Sequence, residues 1–400
     1  MNARINEGAV ARPEDVGFDT ARLKRVGERI AADVEAMRYD GARLMVARRG
    51  IPVLDLTIGF AERDANRPMA TDSLFSIMSI SKVMTAVALL QKVERGDVSL
   101  LSPVASIIPE FAAREKGRVT VNQILTHTAG MGMGPAPLPV EKLGDLRECA
   151  KAICALPLES TAGETVSYSA SMGFTILGEI VRRVDGGKRE FREILKQDIF
   201  DPLGMKDTMV GFPPRLASRR VPVVVRDPDA PELNPKFQSD RDKSVTETTE
   251  LPSGGATFST AGDILRFAEA LRLGGALEGK RVLSPATVQL MRQNHTGDRP
   301  NGMMNSSRAL HGMAPFPAFL GLGLFLRGTG IFPSHMACLA SPSTFGGWGL
   351  GSMGFWVDPE REVSFVMLTA GIMERIRNLL RFQRIGDMVL SSLVDEMREP

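Results

Sequence analysis

The pattern of apolar and polar positions predicts a helix and a β-hairpin at the start of the chain. Residues 19–36 carry apolar positions at helical spacing, and Asp19 or Thr20 is suited to cap the helix N-terminus. Two short apolar runs follow, at residues 42–47 and 52–60, and a turn that contains glycine separates them. This arrangement is typical of two adjacent antiparallel strands.

The middle of the chain is mainly helical in pattern, and its end returns to strands. Helical character is found at residues 79–94, 121–125, 143–155, 173–184 and 260–273. Residues 212–250 are rich in proline and charge and have little periodicity, which predicts a long surface loop or lid. Strands are predicted at residues 354–357 and 363–369, and an amphipathic helix at residues 377–396 closes the chain.

This order of elements predicts an α+β protein. An antiparallel sheet, flanked by N- and C-terminal helices, would enclose a large and mostly helical insert. We expect residues 1–75 and 276–400 to form a discontinuous α/β domain and residues 76–275 a mainly helical one, with any active site in the cleft between them. At 400 residues and 43% apolar content, the chain can bury one large core or two modest ones.

Composition excludes several kinds of partner. A net charge of +2 gives no reason to expect a nucleic acid or a membrane surface, although a homo-oligomer stays open. Three cysteines without Cys-x-x-Cys spacing and four scattered histidines predict no disulfide framework, metal or cofactor. Residues 1–20 lack the apolar segment of a secretory signal, and the longest apolar stretch, residues 83–90, is too short to cross a bilayer. We therefore expect a cytoplasmic protein.

One short motif places a hydroxyl and an amine on the same face of a predicted helix. Lys82 follows Ser79 by three residues, and this is the only Ser-x-x-Lys in the chain. Because burial disfavours the charged form of lysine, a lysine at the root of the apolar helix can accept the serine proton and make the serine a nucleophile. About one such tetrapeptide is expected by chance in a chain of this length, so a capping serine beside a solvated lysine is the alternative.

Six segments, in order, resemble a known family. Residues 74–82, which contain this motif, resemble the Ser-x-x-Lys element of class C β-lactamases, DD-peptidases and family VIII carboxylesterases. Five later segments also resemble elements of that family: residues 121–131 with the sequence Thr126-His127-Thr128-Ala129-Gly130, residues 166–174 with Tyr168, and residues 202–208, 254–263 and 356–360. The chain is thus similar to the serine β-lactamase-like enzymes, and closest in type to the family VIII carboxylesterases.

The resemblance implies a set of catalytic groups. Ser79 is the implied nucleophile, and Lys82 and Tyr168 are its implied proton-transfer partners, with the phenol passing the proton to the leaving group. The backbone amides of Ser79 and Leu350 are the implied oxyanion hole. For Tyr168, the alternative is a packed tyrosine with an ordinary hydrogen bond at a helix entrance.

Two positions depart from the family's pattern. The asparagine of the family's Tyr-x-Asn element, which holds the acylamino group of a β-lactam, is replaced by Ala170. The strand motif Lys-Thr-Gly, or His-x-Gly in esterases, falls on Gly347, Trp348 and Gly349, with Gly347 or, one residue later, Trp348 in the first position. Neither residue supplies a cation for a substrate carboxylate. We therefore expect a neutral substrate bound by these four residues, with Trp348 and the loop at 212–250 shaping its pocket.

The favoured function is a serine esterase that hydrolyses carboxylic esters of neutral small molecules through an acyl-enzyme at Ser79. An acyltransferase would use the same residues. A β-lactamase or DD-peptidase is disfavoured by the two departures, and a non-catalytic relative would have no need of all three catalytic residues. Residues 349–354 fit the dinucleotide pattern Gly-x-Gly-x-x-Gly but precede a strand instead of a helix. His127 fits a structural hydrogen bond, and His335 at most the mouth of the site.

Overall fold

An antiparallel sheet built from both ends of the chain is the centre of the structure, a computed structural model that describes residues 5–8, 10–227 and 233–394. The strands are β1 Ile5–Glu7, β2 Gly41–Arg48, β3 Ile51–Glu62, β4 Arg67–Pro68, β5 Phe75–Ser76, β6 Met209–Val210, β7 Thr257–Ser259, β8 Ala276–Leu277, β9 Lys280–Arg281, β10 Phe325–Leu326, β11 Phe345–Gly349, β12 Met353–Asp358 and β13 Val363–Ala370. The large sheet has the order β1-β3-β2-β13-β12-β11-β10, and β4 pairs with β3. Strands β2 and β13, far apart in sequence, pair along their whole length.

Eleven α-helices lie in the described residues, together with several short 3-10 turns. They are α1 Thr20–Glu35, α2 Ser81–Glu94, α3 Val121–Leu125, α4 Leu146–Cys154, α5 Met172–Val184, α6 Phe191–Leu195, α7 Pro235–Lys243, α8 Ala261–Arg272, α9 Pro285–Met291, α10 Asn305–Leu310 and α11 Arg375–Leu390. In the part of the chain that the structure describes, none of them combines the length and the apolar character that a bilayer crossing requires. The cytoplasmic location stays a prediction.

The two faces of the sheet are covered by different helices. Side chains alternate along β12, so that Trp356 points to one face and Phe355 and Val357 to the other. Trp356 belongs to a core with the terminal helices α1 and α11, and it stacks on Phe365 of β13 at 4.9 Å between ring centroids. The opposite core continues through α8 and α2 into the helical region. The predicted α+β class, with an antiparallel sheet flanked by the terminal helices, is confirmed, and both of these helices cover the same face.

Helix α2 is the buried centre of the helical region. Every residue from Ser81 to Lys92 is buried, as the apolar character of this segment predicts. Its α-helical part begins at Ser81, and a 3-10 turn over Met78–Ile80 precedes it. Ser79 therefore lies at the N-terminal entrance of α2, as the sequence predicts.

The structure corrects the prediction in two segments. Residues 212–250 are not a loop throughout, because α7 begins at Pro235, where the side chain of Asn234 caps it. Its charged sequence has no apolar period and so gave no helical signal. The last helix ends at Leu390 instead of residue 396, because the hydroxyls of Ser391 and Ser392 donate back to helix carbonyls. Residues 395 and 396 lie outside the described residues.

The division of the chain into domains at residues 75 and 275 stays a prediction. Helix α8, which this division assigns to the helical part, packs on strands β2, β12 and β13 of the sheet. Helix α2 contacts the helices α5 and α6, and the turn before it contacts β11. The entrance of α2 thus lies where the sheet meets the helical region.

Candidate active site

Ser79 and Lys82 are in direct contact at the entrance of α2. The Nζ atom of Lys82 lies 2.9 Å from the Oγ atom of Ser79. Lys82 also donates hydrogen bonds to the backbone carbonyls of Ala170, at 2.7 Å, and Ser253. Among the described residues, no carboxylate forms an ion pair with this amine. The amine is therefore held by three neutral oxygen atoms and aimed at the serine hydroxyl.

The surroundings of Lys82 favour its neutral form. Burial lowers the pKa of Lys82 well below its ordinary value, and the positive charge of Arg241 lowers the pKa further. The rings of Tyr168 and Phe174 lie 5.2 and 5.7 Å from Nζ and help to exclude water. An unprotonated amine at this distance is able to accept the proton of the Ser79 hydroxyl.

Tyr168 also contacts Ser79 and stays protonated. Burial raises the pKa of Tyr168 to about 12, although a hydrogen bond with Ser79 and the charge of Arg375 oppose this rise. A phenol with this pKa carries its proton at any ordinary pH. It is therefore suited to donate a proton to a departing group beside the serine.

His127 supports Tyr168 and does not act as a base. The two rings lie 4.3 Å apart between centroids, and the amide of Ser169 donates a hydrogen bond of 3.2 Å to Nδ1 of His127. Burial lowers the pKa of His127 to about 3, so its ring is neutral. The amide of Ser167 donates to the His127 carbonyl at 2.9 Å, so His127 holds the chain on both sides of the tyrosine, which agrees with the structural role expected for this histidine. His335 lies behind Trp348, with 6.5 Å between their ring centroids, and lines a neighbouring cavity.

Two glycines bring other segments against the backbone of Ser79. A Cβ atom on Gly254 would lie 2.9 Å from the Ser79 nitrogen, and one on Gly349 would lie 3.2 Å from it. Met78, just before the serine, has a φ of +50°, which is uncommon for a residue with a side chain. The close approach of the two glycine segments holds this turn in its strained conformation.

The predicted oxyanion donors lie at the same cleft. Leu350 follows β11 in the turn to β12, and it lines the cleft together with Ser79. Apart from bonds within helices and strands, neither the Ser79 amide nor the Leu350 amide donates a backbone hydrogen bond in residues 5–8, 10–227 and 233–394. This agrees with two N–H groups that face a substrate oxygen, and their role as an oxyanion hole stays a prediction.

The cleft over Ser79 encloses about 590 Å³, including space open to solvent. Its apolar wall consists of Met78, Met133, Met303, Trp348 and Leu350. Tyr168 and Ala170 line it as well, as expected from the sequence. A wall of this kind favours the apolar part of a small molecule.

Strand β11 presents Trp348 to the cleft and turns two glycines away from it. A Cβ atom on Gly347 would lie 2.8 Å from Cγ2 of Val83 in α2, and Gly347 lines a smaller cavity behind Ser79. Gly349 packs against the turn that holds Ser79. Of the two alignments considered for the strand motif, the one with Trp348 in the first position therefore agrees with the geometry.

Two arginines line the cleft, and the sequence analysis missed them. Arg241 comes from α7, inside the segment predicted as a loop or lid, and Arg375 is the first residue of α11. The expectation of a neutral substrate did not take these two cations into account. It considered only the strand motif, whereas these cations come from elements 134 residues apart in the chain. Nothing in the sequence distinguishes these two arginines from the many that lie in exposed helices, so the sequence did not indicate that they line a site.

The sheet flanked by the terminal helices, together with a serine and a buried lysine one helical turn apart, defines a serine hydrolase. The family model described as Beta-lactamase matches residues 26–372, so the chain belongs to the β-lactamase family.

Relatives with known names agree with this family. Esterase EstB of Burkholderia gladioli is 32% identical over 301 residues, which cover 67% of this chain and 71% of EstB. The crystal structure of a family VIII carboxylesterase superposes with a TM-score of 0.78 at 22% identity and covers 98% of this chain and 100% of that one. The structure of EstCE1, described as a hydrolase with promiscuous acyltransferase activity, has a TM-score of 0.73 at 21% identity and covers 92% of this chain and 99% of EstCE1. The predicted resemblance is confirmed.

Proposed function

We propose that this protein is a serine esterase that cleaves carboxylic esters of small molecules through an acyl-enzyme at Ser79. The observation that carries the proposal is the 2.9 Å contact between the Ser79 hydroxyl and a buried lysine amine without a carboxylate partner among the described residues. The name of EstB, an esterase, supports the same reaction.

The first half of the reaction forms the acyl-enzyme. Ser79 Oγ attacks the ester carbonyl carbon while the neutral amine of Lys82 accepts the serine proton. The amides of Ser79 and Leu350 stabilise the negative charge on the tetrahedral intermediate. Tyr168 gives its proton to the departing alcohol and takes one back from Lys82. The bond between Ser79 and the acyl group then replaces the original ester bond.

The second half releases the acid. A water molecule attacks the acyl-enzyme carbonyl and loses a proton to the neutral amine of Lys82. As the bond between the acyl carbon and Ser79 Oγ breaks, Tyr168 gives its proton to Oγ and takes one back from Lys82. The apolar wall with Met133 and Trp348 also suits an alcohol as the acceptor, and the name of EstCE1 supports this second possibility, an acyltransferase.

Hydrolysis of p-nitrophenyl acetate, p-nitrophenyl butyrate and nitrocefin tests the proposal. We expect the esters to turn over faster than nitrocefin, since Ala170 offers no side-chain amide to a β-lactam. In the Ser79→Ala variant, kcat/KM for the esters should fall by about 10⁴-fold or more. Added alcohol acceptors would reveal acyl transfer as a new ester product.

Ser81→Ala is the matched control, because the Ser81 hydroxyl donates to the Met78 carbonyl at 2.8 Å and does not contact Lys82. It should keep activity within about tenfold of the parent. Ester hydrolysis that survives in Ser79→Ala would contradict the assignment of the nucleophile, and faster turnover of nitrocefin would reverse the ranking of substrates.

A further inference from the structure

Arg241 is held at the cleft by neutral groups. Its Nη2 atom donates a hydrogen bond of 2.9 Å to Oε1 of Gln238 and lies 3.1 Å from Sδ of Met78. The guanidinium also packs on Gly255, where a Cβ atom would lie 3.4 Å from Cζ. These contacts fix the position of the charged group beside the residue that precedes Ser79, and none of them neutralises its charge.

Both acids next to Arg241 in the sequence are engaged elsewhere, and Asp240 pairs with Lys236. The carboxylate of Asp242 pairs with Arg220 at 2.7 Å and accepts a hydrogen bond from the amide of Val223. Within the described residues, no carboxylate lies within 4 Å of the Arg241 guanidinium. Burial lowers the pKa of Arg241, which reflects the cost of holding this charge without an anion.

Arg375 adds a second charge to the same cleft. As the first residue of α11, it lies at the positive end of the helix dipole, where a cation does not stabilise the helix. Within the described residues, its guanidinium donates to the carbonyl of Met303 at a long 3.5 Å. The preceding Glu374 caps the helix and contacts His311 at 3.0 Å instead. None of the described residues that line the cleft is acidic.

We propose that Arg241 and Arg375 form an anion site, so that the ester cleaved at Ser79 carries a carboxylate away from the reacting carbonyl. This inference rests on the proposed esterase function and names its substrate class. Examples are half-esters of dicarboxylic acids, and esters formed at the hydroxyl group of a hydroxybenzoic acid, whose carboxylate stays free. A guanidinium binds a carboxylate through two parallel hydrogen bonds, and the apolar wall strengthens this attraction by excluding water.

The test compares pairs of esters with the same skeleton, in which one member carries a carboxylate and the other a neutral group at the same position. Mono(4-nitrophenyl) glutarate is paired with 4-nitrophenyl pentanoate for a carboxylate on the acyl side, and 4-acetoxybenzoate with 4-acetoxybenzamide for one on the alcohol side. We expect the parent protein to prefer the charged ester of at least one pair. In Arg241→Gln this preference should fall by about 10–100-fold, since hydrogen bonds to charged groups contribute about 1.5–3 kcal/mol. Arg241→Lys should recover part of it.

The readout is the ratio of kcat/KM values within a pair, because the charge of Arg241 also acts on Lys82 and so affects all esters. Lys243→Gln is the matched control, since Lys243 is exposed on the same helix and its loss changes the net charge equally. The control should leave the ratio unchanged. A ratio that is equal in Arg241→Gln and the parent for both pairs overturns the anion site, while Ser79-dependent hydrolysis of the neutral esters keeps the esterase proposal.

Binding of carboxylates to the inactive Ser79→Ala variant tests the anion site independently of ester hydrolysis. Titration calorimetry with glutarate and 4-hydroxybenzoate at low salt should detect at least one of them, and added Arg241→Gln should weaken this binding by about tenfold. Such binding, together with a parent protein that hydrolyses none of the esters, would support the anion site and overturn the esterase. Absence of binding by both carboxylates, with unchanged ratios, overturns the anion site.

Discussion

The two ends of helix α2 each bury a lysine, but the two lysines have opposite surroundings. Lys82 in the first turn is 3% exposed and Lys92 near the last turn is 1% exposed. Lys82 contacts a hydroxyl and two backbone carbonyls. Lys92 forms an ion pair of 2.5 Å with Asp185, which also pairs with Arg189 at 2.7 Å. One end of the helix thus holds an uncompensated amine, and the other a compensated charge.

The difference shows that whether a buried lysine can act as a base depends more on the group that it contacts than on the extent of its burial. A carboxylate returns much of the energy lost when an ammonium group leaves water, whereas carbonyl dipoles return less. Lys116 is also buried and bonded only to carbonyls, but it has no hydroxyl among its partners. A candidate base therefore needs two features together, the absence of an acid and direct contact with a nucleophile, and among these three lysines Lys82 has both.

The largest expected effect is the loss of activity when Lys82, in the first turn of α2, is replaced. In Lys82→Met, kcat/KM for p-nitrophenyl butyrate should fall by about 10³-fold, because Ser79 loses the group that accepts its proton. The folded protein should gain about 1 kcal/mol at neutral pH, since an apolar side chain replaces a buried amine at a functional site. Ester kinetics and urea unfolding measure the two quantities. A variant that is less stable than the parent would show that Lys82 also supports the fold.

Lys92→Met is expected to give the reverse pattern, with a smaller effect. Activity should stay within about threefold of the parent, because Lys92 does not contact the cleft. The free energy of unfolding should fall by about 2 kcal/mol, less than for an isolated buried pair, since Asp185 keeps Arg189 as a partner. Urea unfolding followed by circular dichroism measures this loss. If Lys92→Met lost as much activity as Lys82→Met, the comparison between the two ends would fail.

The same comparison explains what could be predicted from the sequence. Ser79 and Lys82 are three residues apart on one helix, so a local pattern was enough to place them together. The strands and helices at the chain ends followed from their periodicity. The partner of Lys92 could not be predicted in this way, because Asp185 is 93 residues away and reaches it only in the packed structure.

The missed parts of the site are also long-range. The carbonyl of Ser253 and the guanidinium of Arg241 reach the entrance of α2 from segments more than 150 residues away. A backbone carbonyl has no sequence signal, and an arginine in a charged segment resembles any solvated arginine. The expectation of a neutral substrate counted only the cation of one strand motif, while Arg375 comes from a different element.

The pH dependence of stability gives the smallest effect and the sharpest test of Lys82. Burial lowers the pKa of Lys82 in the folded state, while in the unfolded chain a lysine has a pKa of about 10.4. Between these two values the unfolded state binds more protons, so the stability of the parent should rise with pH in this window. Lys82→Met lacks this group. Its stability advantage over the parent should therefore shrink across this window, by at most about 1.4 kcal/mol for each pH unit.

The activity of the parent should change in the same direction, since only the neutral amine accepts the serine proton. We expect kcat/KM for a neutral ester to rise with pH through the lowered pKa of Lys82 and then to level off, because Tyr168, with a pKa of about 12, stays protonated. Unfolding of the parent and Lys82→Met at several pH values, beside a pH–rate profile of the parent, measures both. A stability difference that does not change with pH would mean that Lys82 is as charged in the folded protein as in the unfolded chain, and the two ends of α2 would then hold the same kind of lysine.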